Sequence, residues 1–220
     1  MRKLPIENYD QEDYQAMDRY LNKFNSSILP NKFYAEAAKN DAVKRYDQEA
    51  IKNNIEPVSA PAGNAKQYSG LYSDNFLSAS KETGLDTNFI AGIGYQESKY
   101  DPNAGSTKGA RGIMQLTPIA IKELERYGVK ITNVNDPAQN IKGGAVLMSN
   151  LIKQFGNKEL ALAAYNAGSG NVRKWIKEAN SKDWNKISAY LKRTNQFEET
   201  VNYVPSVLNH YQTINKKGKI

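Results

Sequence analysis

Apolar residues recur at helical spacing along most of the chain, and turn-forming residues fall between the runs. Tyr14, Met17, Leu21 and Phe24 form one stripe near the start, and Phe33, Ala37, Tyr46 and Ala50 follow a second, with Pro30 marking the turn between them. Pro57, Ser59, Pro61, Gly63 and Asn64 then make a breaker-rich stretch, read as a linker or a surface crossing. From residue 70 onward helix follows helix on short loops. The pattern predicts helices over 75–83, from a cap at Asp86 or Thr87 to about Tyr100, over 113–127 resuming after Pro118, and over 140–155, 160–165, 171–179 and 199–214. Gly105 to Gly112 reads as a loop, Val129 to Val134 as a short strand or extended loop, and Asn166-Ala167-Gly168 as the loop that ends the 160–165 helix. The expected fold is mainly α with at most a small β element. Residues 1–56 form an N-terminal helical extension, 57–68 the linker or crossing, and 69–220 the main domain.

Composition removes whole classes of chemistry. The chain of 220 residues has no cysteine and one histidine, His210. A cysteine nucleophile, a zinc site built from several thiolates or imidazoles, and any Ser-His pair not using His210 are therefore excluded. His210 lies in a helical stretch and reads as a surface or packing side chain. Residues 1–68 hold ten Lys/Arg and ten Asp/Glu, whereas 69–220 hold twenty and thirteen, so the whole net charge of +7 sits in the main domain. A basic domain seeks anionic partners such as nucleic acid, anionic lipid or the carboxylate-bearing bacterial wall. The lysines are scattered singly without a basic run or a stripe of stacking aromatics, which argues against nucleic acid. No stretch approaches the length needed to span a bilayer, and Met1 to Gln11 lacks the apolar run of a secretory signal. The expectation is a soluble chain made in the cytoplasm.

Hydrolytic chemistry in such a chain rests on carboxylates, and Glu97 is the best placed of them. It closes the apolar helix face of Phe89, Ile90 and Ile93. Desolvation there raises a carboxyl's pKa toward the range where it donates a proton near neutrality. The nearest carboxylate in sequence, Asp101, precedes Pro102, which disfavours helical geometry, so Asp101 is expected in a turn or cap. Four segments carry polar groups that their helices do not need: Gln96-Glu97-Ser98 with Tyr100-Asp101-Pro102-Asn103, Gly109 to Leu116, Ala163 to Gly170, and Glu199 to Val204. Singly, each reads as turn or core.

In this order and spacing the four segments resemble the signature of the soluble lytic transglycosylases, enzymes of the lysozyme superfamily that cut bacterial peptidoglycan. The resemblance covers about residues 72 to 212. One departure is Gly112-Ile113 where Gly-Leu is commoner, a volume-conserving change. The resemblance implies a lysozyme-like fold with Glu97 as catalytic acid/base. It implies that Ser98 and Gln115 orient the carboxylate or the sugar, that Met114 lines the cleft, and that Tyr165 and Asn166 stand beside the scissile bond with Ala167 offering backbone contacts. Glu199 and Tyr203 would close the cleft floor. No metal or cofactor enters this chemistry, and peptidoglycan is the implied partner. A murein endopeptidase is the competing enzyme reading, opposed by the absence of the usual zinc-ligand set or Cys-His pair. A non-catalytic wall-binding or structural virion module is opposed by Glu97 itself, since a pure binder needs no acid there. For residues 1–56, docking to virion components and packing on the main domain are both open, and the apolar stripes favour packing.

Overall fold

The computed structural model describes residues 66–220, and the stripes expected over residues 1–56, with most of the 57–68 stretch, lie outside them. Within the described residues are eight helices: α1 (Ser73–Thr83), α2 (Thr87–Ser98), α3 (Pro118–Arg126), α4 (Pro137–Phe155), α5 (Lys158–Ala167), α6 (Ser169–Glu178), α7 (Trp184–Arg193) and α8 (Glu198–Lys217). None is long and apolar enough to cross a membrane.

Helix α2 is the axis of the core. Asp86 caps it, accepting hydrogen bonds from the amides of Asn88 (2.7 Å) and Phe89 (3.3 Å). Every residue from Thr87 to Gly94 is buried. Helix α8 runs antiparallel along it, since Asn215 meets Asn88, Tyr211 meets Asp86, and Tyr203 meets Glu97. Gly92 permits this approach: a Cβ there would stand 3.1 Å from the Tyr211 backbone nitrogen. Helices α1, α4 and α5 complete the surround, with α1 and α5 packed on α4 and α5 also on α8. The chain before α1 joins the same core. Tyr68 is buried, its amide donates to Asn88 Oδ1 (2.7 Å), and Lys66 and Ser69 pair by backbone with Asn215 and Gly218. Residues 66–68, at the end of the stretch read as a linker, are thus part of the packed structure.

Several elements differ from the sequence expectation. No helix forms at Ile113: residues 111–116 make a tight turn closed by reciprocal backbone bonds between Arg111 and Leu116, and α3 starts at Pro118 under the Thr117 cap. No strand forms over 129–134, because Gln139 Oε1 takes the Thr132 and Asn133 amides (2.8 and 3.2 Å) that a ladder would use. The β structure among the described residues is two isolated bridges, Gly105 with Arg111 and Arg111 with Leu116. Asn166 and Ala167 remain inside α5, which Gly168 ends at φ 88°. Helix α7 lies where the pattern assigned no element. Its Asp183 cap and the buried Trp184, Ile187 and Leu191 account for it. Asp101 does sit in a turn, accepting from the Asn103 amide (2.8 Å).

One buried side chain holds the 111–116 turn to the core. Asn140, fully buried on α4, accepts from the Met114 amide (2.6 Å) and donates to the carbonyls of Arg111 (3.0 Å) and Val134 (2.8 Å). Gly112 beneath it, at φ 77°, has no room for a side chain, since a Cβ would meet Asn140 Nδ2 at 2.3 Å. Replacing Asn140 by leucine leaves the buried Met114 amide and the part-buried Val134 carbonyl without their partner, while the Arg111 carbonyl keeps Leu116, and each unpaired group costs about 1–3 kcal/mol. Asn140→Leu is therefore expected to lose about 2 kcal/mol or more, read as a lower denaturant midpoint at unchanged slope.

Candidate active site

The last turn of α2 leaves the core just where its sequence becomes Gln96-Glu97-Ser98. Glu97 follows Ile93 by four residues and so inherits the buried face, with its carboxyl against the α8 surface. Tyr203, buried on α8, donates its hydroxyl to Glu97 Oε1 at 2.5 Å. Burial pushes the Glu97 carboxyl up to about 7; the Tyr203 hydrogen bond opposes that shift, and the Glu199 charge adds to it. Burial, then the Glu97 charge, holds the Tyr203 phenol well above its usual range, so it remains a hydrogen-bond donor. Tyr165 behaves alike, its proton held by burial and by the Glu97 charge, and it donates to the Met114 carbonyl (2.8 Å).

A cleft of about 380 Å³ opens over the carboxyl, lined by Gln96, Glu97, Asn166, Glu199, Asn202, Tyr203 and Ser206. Asn166 ties its two walls together. Its Nδ2 donates to the exposed Glu199 carboxylate (3.1 Å), and its Oδ1 accepts from the buried Thr200 hydroxyl (2.6 Å). A larger cavity of about 500 Å³ lies among α5, α7 and α8, lined in part by Asn157, Trp184 and Pro205. It contains neither Glu97 nor the tyrosines, so its size does not make it the site of chemistry. Among the described residues no three His, Asp or Glu side chains converge in a way that could hold a metal ion.

The structure brings Glu97, Tyr203, Asn166 and Glu199 to one cleft and gives the other expected residues different positions. Met114 does not line the cleft. Its side chain is fully buried, in space left by Gly144 and Gly94, where a Cβ would come within 2.7 and 3.3 Å of it. Ser98 bonds to the carbonyls of Ile113 (2.9 Å) and Gly94 (3.3 Å), so it fastens the 111–116 turn to α2 instead of orienting the carboxylate. Gln115, at φ 47°, spends both amide protons on the carbonyls of Ala104 (3.1 Å) and Gly112 (2.9 Å), leaving only its oxygen for a ligand. The Ala167 carbonyl is taken by Asn171 Nδ2 (2.8 Å). Gln96, Asn202 and Ser206 line the cleft without having been singled out as site residues. The last two could have been found from Glu199, because 199, 202, 203 and 206 share one helix face.

Comparison with known proteins accords with this geometry. Residues 74–188 match the family model described as the transglycosylase SLT domain. Membrane-bound lytic murein transglycosylase F of Pseudoalteromonas translucida is 44% identical over 95 residues, covering 40% of this chain and 19% of that protein. The transglycosylase of Enterobacteria phage PRD1 is 39% identical over 97 residues, covering 44% of this chain and 34% of that protein. The chain thus spans about a third or less of the length of these relatives. Among solved structures, an inactive variant of the lytic transglycosylase Slt from Pseudomonas aeruginosa superimposes with a TM-score of 0.60 at 34% identity, over 67% of this chain and 24% of that one. The 70 kDa soluble lytic transglycosylase of Escherichia coli gives 0.58 at 28% identity, over 64% and 23%. Matched over more than half its length, the chain is a lysozyme-like, mainly α member of the transglycosylase SLT domain family.

Proposed function

We propose that the chain is a peptidoglycan-degrading lytic transglycosylase that cleaves the β-1,4 bond between N-acetylmuramic acid and N-acetylglucosamine, with Glu97 as its single acid and base. The observation that carries this reading is the Glu97 carboxyl, half-buried at the cleft and accepting from a neutral phenol, a setting in which burial pushes it up to about 7. Protonated, it delivers its proton to the bridging oxygen as the C1–O bond breaks, while the acetamido group of the muramoyl sugar stabilises the developing charge at C1. Ionised, Glu97 then accepts a proton from the C6 hydroxyl of the same sugar as that oxygen closes on C1. The products are a free C4 hydroxyl and a 1,6-anhydro end, and no water is consumed. Because the substrate supplies the nucleophile, a second carboxylate is not required.

The supporting residues act through position. Tyr203 holds Glu97 and stabilises its ionised form, ready for the second proton transfer. Asn166 and Glu199 form the polar wall opposite. Ser98, Gln115 and Tyr165 hold the 111–116 turn beside the carboxyl. Glu199 shares the cleft, so a hydrolytic muramidase in which it activates water is the second reading. The biological setting follows from resemblance. As a whole the chain resembles the virion lytic protein of the enveloped double-stranded RNA phages, the cystoviruses, and the likeness to a phage transglycosylase supports a phage-borne role. In that role it is made in the host cytoplasm, travels with the virion, and acts on the wall in the periplasm during penetration and lysis. Residues 69–220, with the packed 66–68 before them, form its lytic domain.

Mass analysis of muropeptides released from purified sacculi tests the reaction. Anhydro-muramoyl ends are expected; reducing ends would establish hydrolysis, and intact glycan with cut stems would establish an endopeptidase. Glu97→Gln is expected to lower wall clearing by about a thousandfold. Folded Glu97 keeps its proton to about pH 7, against about 4.5 for an ordinary carboxyl. Its contribution to stability is therefore complete below pH 4.5 and lost as pH rises through 7. The stability of Glu97→Gln relative to the parent should accordingly grow across that window, by an amount on the order of 3 kcal/mol, measured by denaturant titrations at several pH values. Activity of the parent should fall as pH rises through about 7, as Glu97 loses the proton it must donate. Tyr203→Phe removes the bond that favours the ionised form, so this alkaline limb should move to higher pH.

A further inference from the structure

Two residues that the reaction does not use meet at the end of the cleft away from Asn166. Gln96 precedes Glu97 and lines the cleft, and His210 lies on α8, one helical turn beyond Ser206. Their side chains pair, His210 Nε2 with Gln96 Oε1 at 3.0 Å. The imidazole is fixed on its other side, edge-on to Tyr95 with ring centroids 4.8 Å apart, and Lys99 lies 4.0 Å above the Tyr95 ring. A carboxamide oxygen can only accept, so Nε2 carries the proton in this pair. Burial and then the Lys99 charge hold His210 below the ordinary imidazole range, which leaves a neutral ring with one N–H to give.

The consequence falls on the other half of the amide. With Oε1 turned to His210, Gln96 Nε2 is the half left for the cleft, and among the described residues no side chain or carbonyl accepts from it. Asn202 and Ser206 continue the same polar wall. The Ser206 hydroxyl donates to the Asn202 carbonyl (2.8 Å), so toward the cleft its oxygen is left as an acceptor. The wall thus offers a fixed donor next to the carboxyl.

We propose that Gln96 is a specificity residue whose amide protons read a carbonyl oxygen on the substrate, an acetamido or stem-peptide carbonyl beside the scissile bond, and that His210 is the positioning residue that sets its orientation. This inference rests on the glycan-cleaving reading above. His210 acts only through Gln96: without the imidazole the amide is free to flip and present its oxygen, which repels the carbonyl it should bind.

Because His210 is the sole histidine, its ring nitrogens give a single set of signals in a nitrogen-15 spectrum of the whole protein. The Nε2–H tautomer is expected near pH 7.5, and the Nδ1–H tautomer would overturn the proposal whether or not the enzyme cleaves anything. On peptide-bearing, fully acetylated glycan, Gln96→Leu and His210→Phe should each reduce kcat/KM about three- to tenfold, through KM more than kcat and with an unchanged melting temperature. The double variant should fall no further than Gln96→Leu alone, and additive losses would contradict the positioning role. Two further substrates identify the carbonyl: strands stripped of stem peptides, and strands whose glucosamine is de-acetylated. On one of them the parent and Gln96→Leu should converge; an undiminished gap on both would overturn the assignment. A parent that cleaves none of these strands contradicts the glycan-cleaving reading, whereas a parent that cleaves the peptide-bearing, fully acetylated glycan no faster than Gln96→Leu does contradicts only this one.

Discussion

The hydrogen bond between Tyr203 and Glu97 is the constraint on which the site depends. It joins residues more than a hundred positions apart, and it exists because α8 lies flat along α2 on the bare backbone of Gly92. The same contact that excludes water from the carboxyl, and so raises its proton affinity, supplies a donor that limits how far the affinity rises. Without the donor, the carboxyl would hold its proton too firmly to be a base in the second half of a turnover. Without the burial, it would lose the proton too early to be an acid in the first. A group used in both directions needs a value near the working pH, and two opposed effects set it there.

The rest of the fold serves that contact. Asp86 caps α2 and also accepts from Tyr211 of α8, so one carboxylate fixes the start of the first helix and the register of the second. Asn140 does the equivalent for the wall beside Glu97, replacing regular secondary structure with two side-chain bonds to a turn that has few of its own and a third that ties it to Val134. Ser98 and Tyr165 then fasten that turn to α2 and α5 through the carbonyls of Ile113 and Met114. These side chains hold backbone, and the backbone holds the cleft.

The helices were largely legible because helix formation writes itself locally. Caps such as Asp86, spacing such as Ile90, Ile93, Glu97, and breakers such as Pro118 act over a few residues. The family was legible for a different reason, since four separated segments carry polar groups with no local purpose. What escaped notice depends on distant partners. Met114 is core because Gly94 and Gly144 vacate the space around it, and no local pattern near 114 announces those glycines. Residues 129–134 are not a strand because one glutamine on α4 takes their donors. Ser98 and Gln115 brace loops because the carbonyls they meet come from other segments. His210, read as a surface or packing side chain, packs on Tyr95, and its bond to Gln96 appears only once α8 is laid against α2.

The central claim is that Glu97 shares its proton evenly with water near neutral pH because of where the fold puts it. Carbon-13 NMR of the glutamate side-chain carboxyls, with Glu97 assigned as the signal missing from Glu97→Gln, measures this directly. A titration midpoint near 7 is the predicted result. A midpoint near 4.5, the value of an ordinary glutamate, would mean that water reaches the carboxyl freely and that the acid/base account is wrong.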